Sequence, residues 1–154
     1  MPLRRGCALW AAKVIRILLA DDHEIVRMAL SQTISESDAQ WQICGEAIDG
    51  RDAIEKARAL KPDLVVLDFA MPMVDGIKAG REIRSLLPHV AILVYTFMIF
   101  PKLEKLAHEA GIQSVVQKAD SPALISEIRR LLAQHGAFSA EAAIEDRTAP
   151  HGAN

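Results

Sequence analysis

Cysteine is scarce in this 154-residue chain: only Cys7 and Cys44 occur. They form no CxxC pair and make no metal-spaced set with the five histidines. A disulfide framework and a zinc-type cluster are both excluded on that spacing, and two free thiols in a reducing cytoplasm are expected. An excess of one charge is also lacking. The formal net charge is −2, so no global basic field favours nucleic acid. No apolar run reaches about 18 residues, so no membrane-spanning helix is expected. The N-terminus does not read as a secretory leader. Arg4 and Arg5 precede a short apolar stretch, Cys7 to Ala12. A leader needs about 7–15 apolar residues followed by a cleavage site, and this stretch runs almost directly into a strand-like segment. Residues 1–13 read as an extension with little fixed structure, or as the product of a misassigned start codon.

What is present is enough apolar material for one domain. Hydrophobic residues make up 51% and charged residues 25%, an ordinary balance for a globular chain with a proper core. Five apolar runs stand out: Val14 to Ala20, Trp41 to Ala47, Leu64 to Leu67, Ala91 to Tyr95, and Ser114 to Gln117, the weakest. Short continuous runs of this kind suit strands buried on both faces. Between them the period changes to that of a helix. Ile25, Val26, Ala29, Leu30 and Ile34 recur at helical spacing, as do Ala53, Ala57 and Leu60. The pattern repeats in Ile83, Leu86 and Leu87, in Leu103, Leu106, Ala107 and Ala110, and in Leu124, Ile125, Ile128, Leu131 and Leu132. Ser121-Pro122 reads as an N-cap followed by proline at the first helical position. Gly111 stands where a C-cap glycine belongs.

Strict βα alternation, five times over, predicts an α/β fold: a doubly wound parallel sheet with helices on both faces. For five strands the order to consider is the flavodoxin-like one, 2-1-3-4-5, which makes the first and third strands neighbours at the switch point where such folds bind ligands. After about Gln134 the pattern fades. Residues 14–134 therefore form the expected domain, and residues 135–154 a flexible tail in which Ser139 to Asp146 has the composition for a short helix.

The chemistry gathers at the strand ends. The first strand stops at Asp21-Asp22 and the third at Asp68, so three carboxylates converge in the 2-1-3-4-5 order. Like charges brought together repel, and a bound divalent cation relieves them. Mg²⁺ takes oxygen ligands and prefers one or two carboxylates plus waters and a substrate phosphate. A carboxylate beside such an ion attacks phosphorus to give an aspartyl phosphate. Thr96 ends the fourth strand and Lys118 the fifth, and a hydroxyl and an ammonium are what the spread charge of a phosphoryl group needs. Singly, each residue has a plainer reading. Asp22 caps the first helix, Asp68 is a turn residue before Met71-Pro72, Thr96 is a strand former, and Lys118 is a solvated charge. Jointly, polar residues placed one per strand end on a single sheet edge are more than capping requires.

These residues carry a resemblance. Ile17 to Glu24, with Ala20-Asp21-Asp22-His23, resembles the opening of a response-regulator receiver, closest to receivers of the LuxR/NarL type. Lys61 to Asp68, followed by Met71-Pro72 and Asp75-Gly76, is similar to the family's phosphoacceptor segment. Thr96 and Lys118 fall 28 and 50 residues beyond Asp68. The match covers about residues 14–133. It implies that Asp68 takes the phosphoryl group from a histidine kinase or a phosphotransfer protein. It also implies that Asp21, Asp22, Asp68 and the main-chain carbonyl of Ala70 hold Mg²⁺. Thr96 then hydrogen-bonds the phosphoryl group, Lys118 pairs with its oxygens, and hydrolysis resets the domain.

Three departures from the family pattern stand out. The switch aromatic, usually three residues before the lysine, is Val115. Thr96 is followed by Phe97-Met98-Ile99-Phe100, where relatives usually place polar or acidic residues. This run is expected either to be buried locally or to form a docking or homodimer face, and Phe97 is expected to crowd the phosphoryl site. Finally, only 21 residues follow Ala133, too few for a helix-turn-helix unit. The expectation is a stand-alone cytoplasmic receiver, not a dedicated enzyme, that acts on an unknown downstream protein without binding DNA directly. The competing expectation is a pseudo-receiver scaffold that associates through the 97–100 loop independently of phosphorylation. A flavin protein on the same fold is disfavoured, because the Ser/Thr-rich phosphate loop it needs after the first strand is absent.

Overall fold

The computed structural model describes the backbone of residues 13–148 and the side chains of residues 13–134. The expected extension over residues 1–13 lies almost wholly outside this range, as do the side chains of the expected tail. Five strands alternate with five helices. They are β1 (Ile15–Ala20), α1 (Glu24–Ser37), β2 (Trp41–Ala47), α2 (Gly50–Leu60), β3 (Leu64–Leu67), α3 (Gly76–Leu86), β4 (Ala91–Thr96), α4 (Leu103–Glu109), β5 (Ser114–Gln117) and α5 (Ser121–Thr148). All neighbouring strands are parallel, in the order β2-β1-β3-β4-β5. This is the expected flavodoxin-like arrangement.

The central strands are buried on both faces, so their alternate side chains feed two separate cores. Leu18, Ala20, Val65, Leu67, Ile92 and Val94 pack in the layer that holds α2, α3 and α4. Ile17, Leu19, Leu64, Val66, Leu93 and Tyr95 pack in the layer that holds α1 and α5. Three helices thus cover one face and two the other. In α1 the inward stripe is narrower than the periodicity implied. Leu30 and Ile34 are buried, whereas Ile25 and Ala29 are exposed. The pairing of β1 with β2 shifts between Ile17↔Ile43 and Leu18↔Gly45, leaving Cys44 as the extra residue of a bulge. Burial pushes the Cys44 thiol above its ordinary pKa.

Element ends follow cap chemistry. The Asp49 side chain accepts from the Asp52 N–H and starts α2, and Asp75 accepts from the Lys78 N–H and starts α3. After α4, Gly111 adopts φ 82°. Its N–H donates to the His108 carbonyl at 3.0 Å, and the Ile112 N–H reaches the Ala107 carbonyl at 2.9 Å. This pair of bonds is the Schellman closure that a C-cap glycine permits. One expected cap is displaced. The α5 cap is Asp120, not Ser121: Asp120 Oδ1 accepts from the Ala123 N–H at 3.0 Å. A carboxylate one residue earlier takes the free N–H of the first turn, and Pro122 moves one position into the helix, where its missing N–H is still no loss. Ser114 on β5 ties to α5 by donating to Glu127 Oε2 at 2.6 Å. Hydrogen bonds from Arg130 and Ser114 hold the Glu127 carboxyl below the usual carboxylate range.

Candidate functional site

The sheet ladder continues one step beyond each regular strand, and these steps set the site. The Asp21 N–H donates to the Ala47 carbonyl at 3.1 Å, the Asp68 N–H to the Ala20 carbonyl at 2.9 Å, and the Lys118 N–H to the Thr96 carbonyl at 2.9 Å. Ala20 pairs with Leu67, and Leu67 with Val94. The residues that follow these positions therefore share one carboxyl edge. Asp21, Asp68, Thr96 and Lys118 are the buried polar residues of the described chain. Burying charges is costly unless they are paired, and here they are. Lys118 Nζ donates to Asp21 Oδ2, and to Asp68 Oδ2 at 3.1 Å.

Asp22 lies beside this group but does not cap α1. The helix begins after His23 with no side-chain cap bond, so the plainer reading of Asp22 fails. His23 joins the cluster instead. Its N–H donates to Asp21 Oδ1 at 2.9 Å, and its Nδ1 lies 3.1 Å from Asp22 Oδ1 and 3.3 Å from Asp21 Oδ1. Arg27 Nη1 donates to the Asp21 carbonyl at 2.7 Å, fixing the turn from β1 into α1. No spacing in the sequence signals the Arg27 contact, and His23 is legible there only as the residue after two acids.

The donor set fits a divalent cation. One ligand atom from each of Asp21, Asp22, His23 and Asp68 lies within 4.8 Å of the others. Three carboxylates against one ammonium leave two negative charges, which one hard divalent ion cancels. The Ala70 N–H reaches Asp68 Oδ1 at 3.4 Å, a long contact, so the loop after Asp68 folds back toward the carboxylate. That loop is held by Gly76, whose N–H donates to the Phe69 carbonyl at 2.9 Å. A Cβ on Gly76 would stand 2.2 Å from the Asp68 carbonyl oxygen. The Asp75-Gly76 pair therefore has a physical explanation: one residue caps α3, and the other lets the helix start against the end of β3.

Thr96 is buried at the end of β4, and its Oγ1 accepts from the Met98 N–H at 3.1 Å. The apolar loop is not buried as a unit. Phe97, Met98 and Ile99 are exposed among the described residues, which corrects the expectation of local burial against the rest of the sheet and helices; cover by the N-terminal extension or the tail lies outside the described side chains. The reason is the short Thr96–Met98 turn, which directs the loop outward. Only Phe100 is tucked in, edge-on against Phe69 with ring centroids 5.4 Å apart. Val115 is half-buried and borders a cavity of about 390 Å³ with Ile99, Phe100 and Leu103.

Known proteins give the same picture. Residues 17–129 match the response regulator receiver domain. The response regulator protein VraR of Staphylococcus saprophyticus is 34% identical over 134 residues, covering 86% of this chain and 64% of its own length. VraR of Staphylococcus aureus matches with the same identity and coverage. This chain thus spans just under two thirds of those curated relatives. Among solved structures, a LuxR-family two-component response regulator from Aurantimonas sp. SI85-9A1 is 34% identical with a TM-score of 0.75, over 79% of this chain and 86% of that one. The receiver domain of the response regulator NarL from Mycobacterium tuberculosis is 26% identical with a TM-score of 0.73, over 79% and 98%. A doubly wound five-strand sheet, an acidic carboxyl edge answered by one buried lysine, and these likenesses converge: the chain belongs to the response regulator receiver domain family.

Proposed function

We propose that this receiver accepts a phosphoryl group on Asp68 from a histidine kinase or phosphotransfer protein, in a Mg²⁺-dependent reaction, and signals from the cytoplasm through protein–protein contacts. The observation that carries this reading is the buried Asp21–Lys118–Asp68 group, with Asp22 beside it and Thr96 on the same edge. In this reading Asp21, Asp22, Asp68 and the Ala70 carbonyl hold the metal. When bound, the metal screens carboxylate from phosphate and neutralises charge on the transferring group. The rest falls to the chain's own residues. Asp68 presents the nucleophilic oxygen. Lys118 exchanges its carboxylate partners for phosphoryl oxygens. Thr96 Oγ1 keeps accepting from the Met98 N–H and donates its own hydroxyl proton to the phosphoryl group. Hydrolysis restores the carboxylate, so the protein is a phosphoacceptor that resets itself and not a dedicated enzyme.

A second reading has one observation in its favour. Phe97, Met98 and Ile99 stand exposed on one loop, as a scaffold associating without phosphorylation would need. One experiment separates the two. The protein is incubated with Mg²⁺ and acetyl phosphate, and its intact mass is followed. The expected result is one phosphoryl group on the wild type and none on Asp68→Asn. A wild type that stays unmodified, and whose fluorescence ignores beryllofluoride, supports the scaffold and ends the acceptor reading.

A further inference from the structure

We propose that Phe97 is a positioning residue for Lys118, and that its ring caps the acceptor pocket and lengthens the life of an aspartyl phosphate on Asp68. The inference deepens the acceptor reading of Asp68 and rests on it. The ring centroid lies 5.4 Å from Lys118 Nζ, within the roughly 6 Å over which an ammonium is attracted to an aromatic face. Exposure shows which group covers which. Lys118 is 4% exposed, whereas Phe97 is 69% exposed. The ring is thus an outer layer over a buried ammonium. An aromatic left this open to water gains little from burial, and apolar space is at hand. A groove of about 200 Å³ runs beside both groups, lined by Ile25, Val26 and Tyr95 as well as by the ring and Lys118. The ring and the lysine thus border the same space.

The backbone on both sides holds that contact. The Met98 N–H binds Thr96 Oγ1 at 3.1 Å and the Ile99 N–H binds the Phe97 carbonyl at 3.1 Å, fixing the turn that carries the ring. Ala119, directly after the lysine, has φ 133°, a conformation that L-residues adopt only where the surroundings impose it. Lys118 is therefore aimed by its backbone and steadied by the ring, with Asp68 Oδ2 at 3.1 Å as its partner. In hydrolysis, a water oxygen forms the new bond to phosphorus. The bond from phosphorus to the Asp68 carboxylate oxygen breaks, its electron pair returns to the carboxylate, and the water proton leaves to phosphate or solvent. A ring on the solvent side of the lysine slows the approach of that water and keeps the ammonium on the phosphoryl oxygens.

The test is the decay of the phosphorylated protein after the donor is removed, for wild type, Phe97→Ala, Phe97→Leu and Phe97→Tyr. Loss of the ring is expected to speed decay by roughly two- to thirty-fold, the range that a cation–π contact supplies. Phe97→Leu, which keeps apolar bulk without a π-face, should decay nearly as fast as Phe97→Ala, and Phe97→Tyr should restore the wild-type lifetime. A second readout needs no phosphate. The Lys118 side-chain proton shifts, moved by the ring in wild type, should relax in Phe97→Leu and persist in Phe97→Tyr. Wild-type lifetimes in Phe97→Ala, or rescue by Leu equal to rescue by Tyr, overturn the proposal while leaving Asp68 as acceptor. A wild type that takes no label overturns the acceptor reading and the cap with it.

Discussion

Lys118 has no free choice of partner in the resting protein. It is buried between Asp21 and Asp68, and a buried charge that loses its counter-charge is far costlier than the intact pair is beneficial. Lys118→Met should therefore destabilise the fold at neutral pH by about 3–5 kcal/mol, measured by denaturant unfolding without divalent cations. Adding Mg²⁺ should recover more stability in this variant than in wild type, since the ion then supplies the missing positive charge. Equal gains in both would show that lysine and ion do not share these carboxylates. The shared edge of Asp21, Asp68, Thr96 and Lys118 was legible in the sequence because each directly follows an apolar strand run, which fixes its end of the sheet. What the sequence did not reveal was how they pair at rest. The Lys118–Asp21 bond joins residues 97 positions apart, and the Phe97–Lys118 contact depends on a turn geometry that no spacing encodes.

Among the elements, strands were read more sharply than helix faces. β2, β3 and β5 have the expected limits, β4 ends at Thr96 as expected, and β1 starts one residue later, at Ile15, because continuous burial on both faces leaves little room for register error. Helix faces were broader in the reading than in the molecule. Ile25 has helical spacing yet is exposed, and the buried stripe of α1 begins further along, at Leu30 and Ile34. The cap of α5 was misplaced by one residue because Asp120 and Ser121 are both good caps. The tightest element contact is the start of α3. Gly76→Ala would drive a Cβ into the Asp68 carbonyl, and backbone is slow to yield. A loss of about 1–3 kcal/mol is expected, with slower labelling of Asp68, in thermal unfolding and acetyl phosphate assays. Lys78→Ala, an exposed change on the same helix, should leave labelling unchanged; equal loss in both would point away from the Gly76 contact.

At the scale of the whole molecule, no helix among the described residues is long and apolar enough to cross a membrane. The exposed apolar residues of the β4–α4 loop are instead available to another protein surface. Replacing Met98 and Ile99 with serine, while leaving the packed Phe100 in place, should lower self-association in sedimentation analysis and cost little stability, because both side chains are already open to solvent. Unchanged sedimentation would remove the homodimer face from consideration. The two cores have a mechanical corollary. β4 sends Val94 into the layer of α3 and α4, and Tyr95 into the layer of α1 and α5. A strand is stiff along its length, so a small axial slip of β4 at Thr96 cannot be confined to one side of the sheet. If Asp68 is the acceptor, β4 would serve as a shared driveshaft, carrying an event at Thr96 to both helical layers at once whatever side chain stands at position 115.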